Sequence, residues 1–132
     1  MKIVVGYIRT AEGRAALDAA IAEARLRDGS LLVVHSAKGG SRDEAAQMVA
    51  YRDDLEAVRA RLANEGVVAE IHELVRGNTP ADDLIAVAES AGAGLIVIGL
   101  RRRSPVGKVV LGSNAQDLLL RASCPVLAVK AS

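Results

Sequence analysis

The stretch LIVIGLRRRSPVGKVVLGSN, residues 95–114, contains the features from which the fold can be predicted. Its first part, LIVIG at 95–99, is an apolar run that barely alternates, which is typical of a strand buried on both faces of a parallel sheet. Its last part, Gly112-Ser113-Asn114, directly precedes an amphipathic helical pattern. A loop between such a strand and such a helix binds ligands when it lies at the crevice of an α/β sheet.

The same alternation of strand and helix patterns extends over the whole chain. Apolar, β-rich runs occur at 2–8, 31–35, 67–75, 95–99 and 125–129. Each of the four stretches between them carries an apolar stripe at the helical period. These stripes are Leu17, Ala20, Ile21 and Ala24; Met48, Tyr51, Leu55, Val58 and Leu62; Leu84, Ala88 and Ala91; and Ala115, Leu118, Leu119 and Ala122.

Signals for helix ends agree with these boundaries. Two capping boxes are predicted, and Thr79 before Pro80 predicts an N-cap with proline at the first helical position. Glycines stand where the first two helices should end. The capping boxes are Ser41 with Glu44 and Ser113 with Gln116, and the glycines are Gly29 and Gly66.

The order βαβαβαβαβ with right-handed crossovers predicts a doubly wound, five-stranded parallel sheet with helices on both faces. Residues 1–132 then form one Rossmann-like α/β domain. LLVV, LIVI and PVLAV look fully buried, whereas the third strand alternates, with Glu70 and His72 on one side. This indicates an edge and favours the strand order 3-2-1-4-5. The crevice should then lie beyond strands 1 and 4, at Ile8-Arg9-Thr10 and from Gly99 onward.

Composition excludes several classes of protein. The 17 basic and 16 acidic residues nearly cancel, and only 2% of the residues are aromatic, which argues against nucleic-acid or membrane-surface partners. The single cysteine, Cys124, excludes an internal disulfide and fits a reducing compartment. We find no signal peptide or bilayer-spanning stretch and expect a cytoplasmic protein.

The loop matches neither of two familiar phosphate-binding motifs. A P-loop would need glycine where Arg102 stands and Ser or Thr in place of Val109, and the first strand lacks the glycines of a dinucleotide motif. Gly112-Ser113-Asn114 can hold a phosphate on the first amides of its helix, or Ser113 can simply cap that helix. Likewise, Arg101, Arg102 and Arg103 can be solvated or can contact a phosphate.

Few residues are suited to catalysis. His35 ends a buried strand and is expected to make a structural hydrogen bond, and Cys124 is expected to be a small buried hydrophobe. No nucleophile with a base and no metal-ligand spacing is found, so we expect no metal requirement. The chain is therefore interpreted as a binding module rather than an enzyme.

The loop 99–113, the ending CPVLAVK at 124–130, VVH at 33–35 and the opening KIVVGYIRTAEGRAAL together resemble the universal stress protein family, within the adenine nucleotide alpha-hydrolase-like superfamily. The resemblance covers essentially the whole chain. It implies a homodimeric stress-response protein that pairs through its last strand, Pro125 to Val129, and binds ATP or AMP.

The resemblance also implies site residues. The family motif G-x-x-G-x9-G-[ST] places Gly99, Gly112 and Ser113 at the ligand, with Asn114 offering an amide to phosphate and Ser36 offering backbone to adenine. Arg102 replaces the second glycine, and Ile8 replaces an aspartate that contacts the nucleoside. The phosphate end is thus retained, with Arg101 and Arg102 as further contacts, while the nucleoside end loses an acceptor. The alternative is a dimeric signalling or interaction scaffold that binds no nucleotide, and slow nucleotide hydrolysis is not expected.

Overall fold

The computed structural model describes residues 1–37, 44–75, 78–101 and 111–131, in which five strands alternate with four helices. In chain order these are β1 (Lys2–Gly6), α1 (Ala11–Arg27), β2 (Ser30–Ala37), α2 (Glu44–Asn64), β3 (Ala69–Val75), α3 (Pro80–Ala91), β4 (Leu95–Leu100), α4 (Ser113–Arg121) and β5 (Val126–Lys130). All neighbouring strands are parallel, in the order β3-β2-β1-β4-β5. The predicted fold class and strand order are confirmed.

The sheet has a hydrophobic core on each face. In β1, the successive residues Ile3, Val4 and Val5 point to alternate faces and are all fully buried, because the central strand is covered on both sides. On one face Ile3 and Val5 pack with side chains of α1 and α2, and on the other Val4 packs with side chains of α3 and α4. The helices therefore lie two on each face, as the prediction of a doubly wound sheet requires.

Among the described residues, the predicted helix stripes are buried or half-buried with one exception. All four residues of the α1 stripe are buried, and so are Leu55, Val58 and Leu62 of α2, whereas the side chain of Met48 lies outside the described residues. In α4, Leu118 is 1% exposed but Leu119 is 42% exposed, so its assignment to the core was wrong. The short α4 buries one narrow side, and the next residue along a helix turns about 100° away from it.

Helix starts follow the predictions in part. Thr79 is the N-cap of α3, its side chain accepts a hydrogen bond from a backbone N–H 3.2 Å away, and Pro80 takes the first helical position. The predicted capping box of Ser41 and Glu44 falls outside the described residues. The second predicted capping box, at Ser113, is wrong, because Gly112 and not Ser113 is the N-cap of α4. The start of this helix is described below with the ligand crevice.

Helix ends lie close to the predicted glycines. The helix α1 ends two residues before Gly29, and its C-cap, Asp28, takes the left-handed conformation with φ 51°. The helix α2 ends two residues before Gly66, which adopts φ +71°, a conformation that favours glycine. Both predicted helix ends are therefore confirmed.

Two strands differ from their predicted form. The strand β1 ends at Gly6 rather than at residue 8, because the Ile8 carbonyl accepts a hydrogen bond from the Thr10 amide in the turn that leads to α1. PVLAV was expected to be fully buried, but residues 126–129 are half-buried in this chain. The reason is topological: β5 pairs only with β4 and forms one edge of the sheet.

Candidate ligand-binding crevice

A cavity of about 200 Å³ opens beyond the carboxyl ends of β1 and β4. A second cavity, of about 300 Å³, adjoins it toward the start of α4. The two cavities share five lining residues: Ile8, Glu12, Gly99, Asn114 and Ala115. The helices α1 and α2 connect β1, β2 and β3 over one face of the sheet, and α3 and α4 connect β3, β4 and β5 over the other. The cavities therefore lie where the winding direction reverses, which is the crevice that the strand order predicts.

Most of the predicted site residues come together here. Ile8, Ser36, Gly99 and Asn114 line the first cavity, and Arg101 and Gly112 join the lining of the second. Ser113 starts α4 between Gly112 and Asn114 but is not among the residues that line either cavity. Arg102 lies outside the described residues. The contacts of all these residues with a ligand stay predictions.

The first cavity is mainly apolar at its base. Val34, Leu84, Ile98 and Leu118 line it together with Gly6. Because such a lining offers few hydrogen bonds, it suits a flat or apolar part of a ligand, and the polar groups at the rim determine how that ligand is oriented.

One of these rim groups, Ser36, is already bonded inside the protein. Its hydroxyl donates to Oδ2 of Asp83, 2.5 Å away, and Asp83 is only 2% exposed in the first turn of α3. The bond joins the end of β2 to α3, and it gives the buried carboxylate of Asp83 the hydrogen-bond donor that such a group requires. The hydroxyl proton of Ser36 is therefore already engaged in a hydrogen bond within the protein.

Gly99 is required by packing between β4 and α1. A Cβ placed on Gly99 would overlap the backbone carbonyl oxygen of Glu12. Only a residue without a side chain lets the first turn of α1 approach the end of β4 this closely. Glycine at this position is thus explained before any ligand is considered.

The start of α4 has a different character. Gly112 is the N-cap, with φ −67°, and no side chain among the described residues caps the helix by a hydrogen bond. Ser113 falls inside the helix, one position too late to act as the cap, and the side chain of Gln116 donates instead to the Leu111 carbonyl, 2.9 Å away. Within the part of the chain that the structure describes, the first amides of α4 therefore have no side-chain acceptor, which is the arrangement that favours an anion.

Glu12 is a residue of the crevice lining that the sequence did not reveal. It lines both cavities, and its side chain is only 14% exposed. Oε1 of Glu12 lies 3.7 Å from Nε of Arg101, whose side chain is 60% exposed. The sequence does show an acidic residue in the first turn of the helix that follows β1. That this residue lines the crevice depends on the packing of α1 against Gly99, which the sequence does not show.

Behind the crevice, a group of aromatic and polar side chains fixes the end of β1 to α2. The Tyr7 hydroxyl donates to Oδ2 of Asp54 at 2.5 Å, and His35 stacks on Tyr51 with ring centroids 4.0 Å apart. Nδ1 of His35 lies 3.2 Å from the Tyr7 carbonyl oxygen, which confirms a structural hydrogen bond for this histidine. Burial, and then the neighbouring Asp54 carboxylate, raise the pKa of the Tyr7 hydroxyl well above its ordinary value.

Other candidate groups are placed as follows. Cys124 is half-buried against the core on the α3 and α4 face, and burial raises the pKa of its thiol. Among residues 1–37, 44–75, 78–101 and 111–131, no group of three or more His, Cys, Asp and Glu side chains could hold a metal ion. Within those same ranges, no helix has the length and apolar character needed to cross a bilayer.

The fold and the crevice define a doubly wound α/β protein with its cavity where the strand order reverses. The sequence profile of the Universal stress protein family matches residues 1–130, and the chain belongs to this family. A universal stress protein of Mycolicibacterium smegmatis is 44% identical over 128 residues, covering 97% of this chain and 96% of that protein.

Solved structures agree with this assignment. The structure of a universal stress protein from Archaeoglobus fulgidus is similar to this chain with a TM-score of 0.83 and 39% identity, covering 98% of both chains. A structure of the universal stress protein from the same organism in complex with dAMP has a TM-score of 0.78 and 35% identity, again over 98% of both chains.

Proposed function

We propose that this universal stress protein is a binding module whose crevice accepts an adenine nucleotide or another phosphorylated ligand. The observation that carries the proposal is the start of α4, where Gly112, Asn114 and Ala115 line a cavity and no described side chain caps the first amides. A phosphate is the ligand chemistry that such a helix start favours, because its charge lies at the positive end of the helix dipole. The related A. fulgidus protein in complex with dAMP supports the same ligand class.

The apolar first cavity supports a base or another flat group next to that phosphate. Its lining and its volume of about 200 Å³ leave room for part of a nucleotide rather than for a long chain. AMP and ATP are the candidate ligands named by the resemblance. Because the Ile8 side chain offers no acceptor to the nucleoside, we expect the crevice to discriminate poorly among phosphorylated ligands.

The test is calorimetric titration of the purified protein with AMP, dAMP, cyclic AMP, ATP and inorganic phosphate. We expect saturable binding of the nucleotides and weaker binding of phosphate. The variant Arg102→Gly separates two roles for the arginine: weaker binding indicates a ligand contact, and tighter ATP binding indicates a steric block. Absence of binding by every phosphorylated ligand would contradict the proposal.

We also propose that the protein does not hydrolyse its ligand. No described side chain in the crevice pairs a nucleophile with a histidine base, since His35 is bonded behind it. Phosphate release from ATP with magnesium should equal the background without protein. Turnover that persists after stringent purification and disappears in Ser113→Ala would contradict this. The cytoplasmic location stays a prediction.

A second proposal concerns a partner: a homodimer formed by pairing of β5 with a second copy. The Ile96 amide donates to the Pro125 carbonyl at 3.0 Å, and the Ala131 amide donates to Leu100 at 3.3 Å. Odd-numbered residues of β5 thus bond to β4, and by the two-residue period residues 126, 128 and 130 direct their backbone groups outward. An apolar edge with free backbone groups favours pairing across a two-fold axis.

Sedimentation at micromolar concentration tests this proposal. We expect a dimer for the wild type and for Ala128→Ser, which keeps the outward amide. Ala128→Pro removes that amide without removing a bond to β4, and should sediment as a monomer. A monomeric wild type would contradict the proposal. A dimer that binds no phosphorylated ligand would instead favour the scaffold alternative.

A further inference from the structure

The Glu12 side chain projects from a constrained turn that lines the crevice. It lies in the first turn of α1, whose start is capped by Thr10 through a 3.1 Å bond from the Gly13 amide. The backbone of the same turn is packed against Gly99, where a Cβ would not fit. The backbone from which the Glu12 side chain extends is therefore fixed beside the cavity, and only 14% of the side chain is exposed.

The carboxylate of Glu12 can accept hydrogen bonds from a ligand. Among the described residues its cationic neighbour is Arg101, and the 3.7 Å between Nε and Oε1 exceeds hydrogen-bond length. The Ser36 hydroxyl donates to Asp83, and Ile8 is apolar. Glu12 is therefore the acidic side chain that the described lining of both cavities presents to a ligand.

The position of this charge restricts what it can contact. A carboxylate repels a phosphate, so the phosphate is favoured at the start of α4 and disfavoured at Glu12. A neutral hydroxyl group is attracted instead, because it donates a charge-assisted hydrogen bond to the carboxylate. A sugar phosphate has both parts at a short separation.

We propose that Glu12 accepts hydrogen bonds from sugar hydroxyl groups of the bound ligand and thereby selects ribose-containing phosphates over equally charged ligands without hydroxyls. This inference rests on the proposed function, because it requires a phosphorylated ligand in the crevice. Glu12 in α1 then supplies the hydrogen-bond acceptor that the apolar side chain of Ile8, after β1, does not supply.

The test compares AMP with 2′,3′-dideoxyadenosine 5′-monophosphate, which has the same base and phosphate but neither ribose hydroxyl. Binding of both is measured by calorimetry for the wild type, Glu12→Ala and Glu12→Gln. The matched control is Glu23→Gln, which lies in the same helix about 16 Å further along and pairs with Arg27 at 2.8 Å.

We expect loss of the hydroxyls to weaken binding about tenfold in the wild type and in Glu23→Gln. In Glu12→Ala the two ligands should differ by less than about twofold, because the acceptor is gone. Glu12→Gln keeps a neutral acceptor and should fall between them. Thermal melting confirms that each variant is folded, and Glu12→Gln carries the test if Glu12→Ala is not.

Two results would overturn the inference while leaving the proposed function intact. One is equal binding of both ligands by the wild type, and the other is an unchanged hydroxyl effect in both Glu12 variants. A wild type that binds neither ligand would also overturn the inference, and it would contradict the proposed function as well if every other phosphorylated ligand failed to bind.

Discussion

Gly99 and Gly112 both line the crevice, the first near the end of β4 and the second at the start of α4. At Gly99 a Cβ would overlap the backbone of Glu12. At Gly112 a Cβ would meet nothing within 4 Å, and φ is −67°, which any residue can adopt. The fold thus requires glycine at position 99, whereas at position 112 the described residues leave room for a Cβ.

The comparison separates two meanings of glycine in one motif. At position 99 the absence of a side chain serves packing, so a substitution there acts on stability. At position 112 the open space lies beside uncapped helix amides, where a ligand gains from close approach to the backbone. A substitution of Gly99 should therefore be measured by its effect on stability, and a substitution of Gly112 by its effect on ligand affinity.

The largest expected effect is that of Gly99→Ala on stability. The added methyl group would force α1 away from β4 and should lower the free energy of unfolding by about 3 kcal/mol. Urea denaturation followed by circular dichroism measures this, with Ala128→Ser as a substitution that makes no such overlap. A Gly99→Ala protein as stable as the wild type would show that the packing explanation is wrong.

A smaller effect is expected from Tyr7→Phe, on the packed side of the crevice. The substitution leaves the Asp54 carboxylate without the 2.5 Å bond from the tyrosine hydroxyl and should cost about 1.5 kcal/mol near neutral pH. Unfolding in denaturant measures the difference between the two proteins.

The same variant makes a prediction about pH. Because the pKa of Tyr7 is raised in the folded state above the ordinary 10.0, the unfolded chain releases this proton first as pH rises. The stability that Tyr7 contributes is therefore fully present below pH 10 and is lost above it. The gap between wild type and Tyr7→Phe should narrow above about pH 10, and a constant gap up to pH 11 would contradict the assigned environment.

The smallest effect is expected from Arg101→Gln, on the open side. Its side chain is 60% exposed and only loosely paired with Glu12, so stability should change by less than about 0.5 kcal/mol. Affinity for AMP should fall about threefold at low ionic strength, and this difference should disappear in 1 M salt. An effect that is independent of salt would indicate a buried contact instead.

The strand order could be predicted because its signals are local. The alternation around Glu70 and His72 marks β3 as an edge, and unbroken apolar runs mark β2 and β4 as buried. The position of the crevice followed from that order by a general rule for α/β sheets.

The finer features depend on contacts between distant parts of the chain. Nothing near Glu12 in the sequence indicates that its turn packs against Gly99, and nothing near Leu119 indicates how little of α4 is covered. Ser113 fits a capping box as a pattern, but the helix begins one residue too early for its hydroxyl to act as the cap.

The most direct test of the central claim is the dissociation constant of AMP for Gly112→Val against wild type. Since a Cβ at this position meets no atom of the described residues within 4 Å, the free energy of unfolding should change by less than about 1 kcal/mol. The isopropyl group would occupy the space beside the first amides of α4, so AMP should bind at least about tenfold more weakly. Unchanged AMP affinity in a folded Gly112→Val protein would contradict phosphate binding at the start of α4.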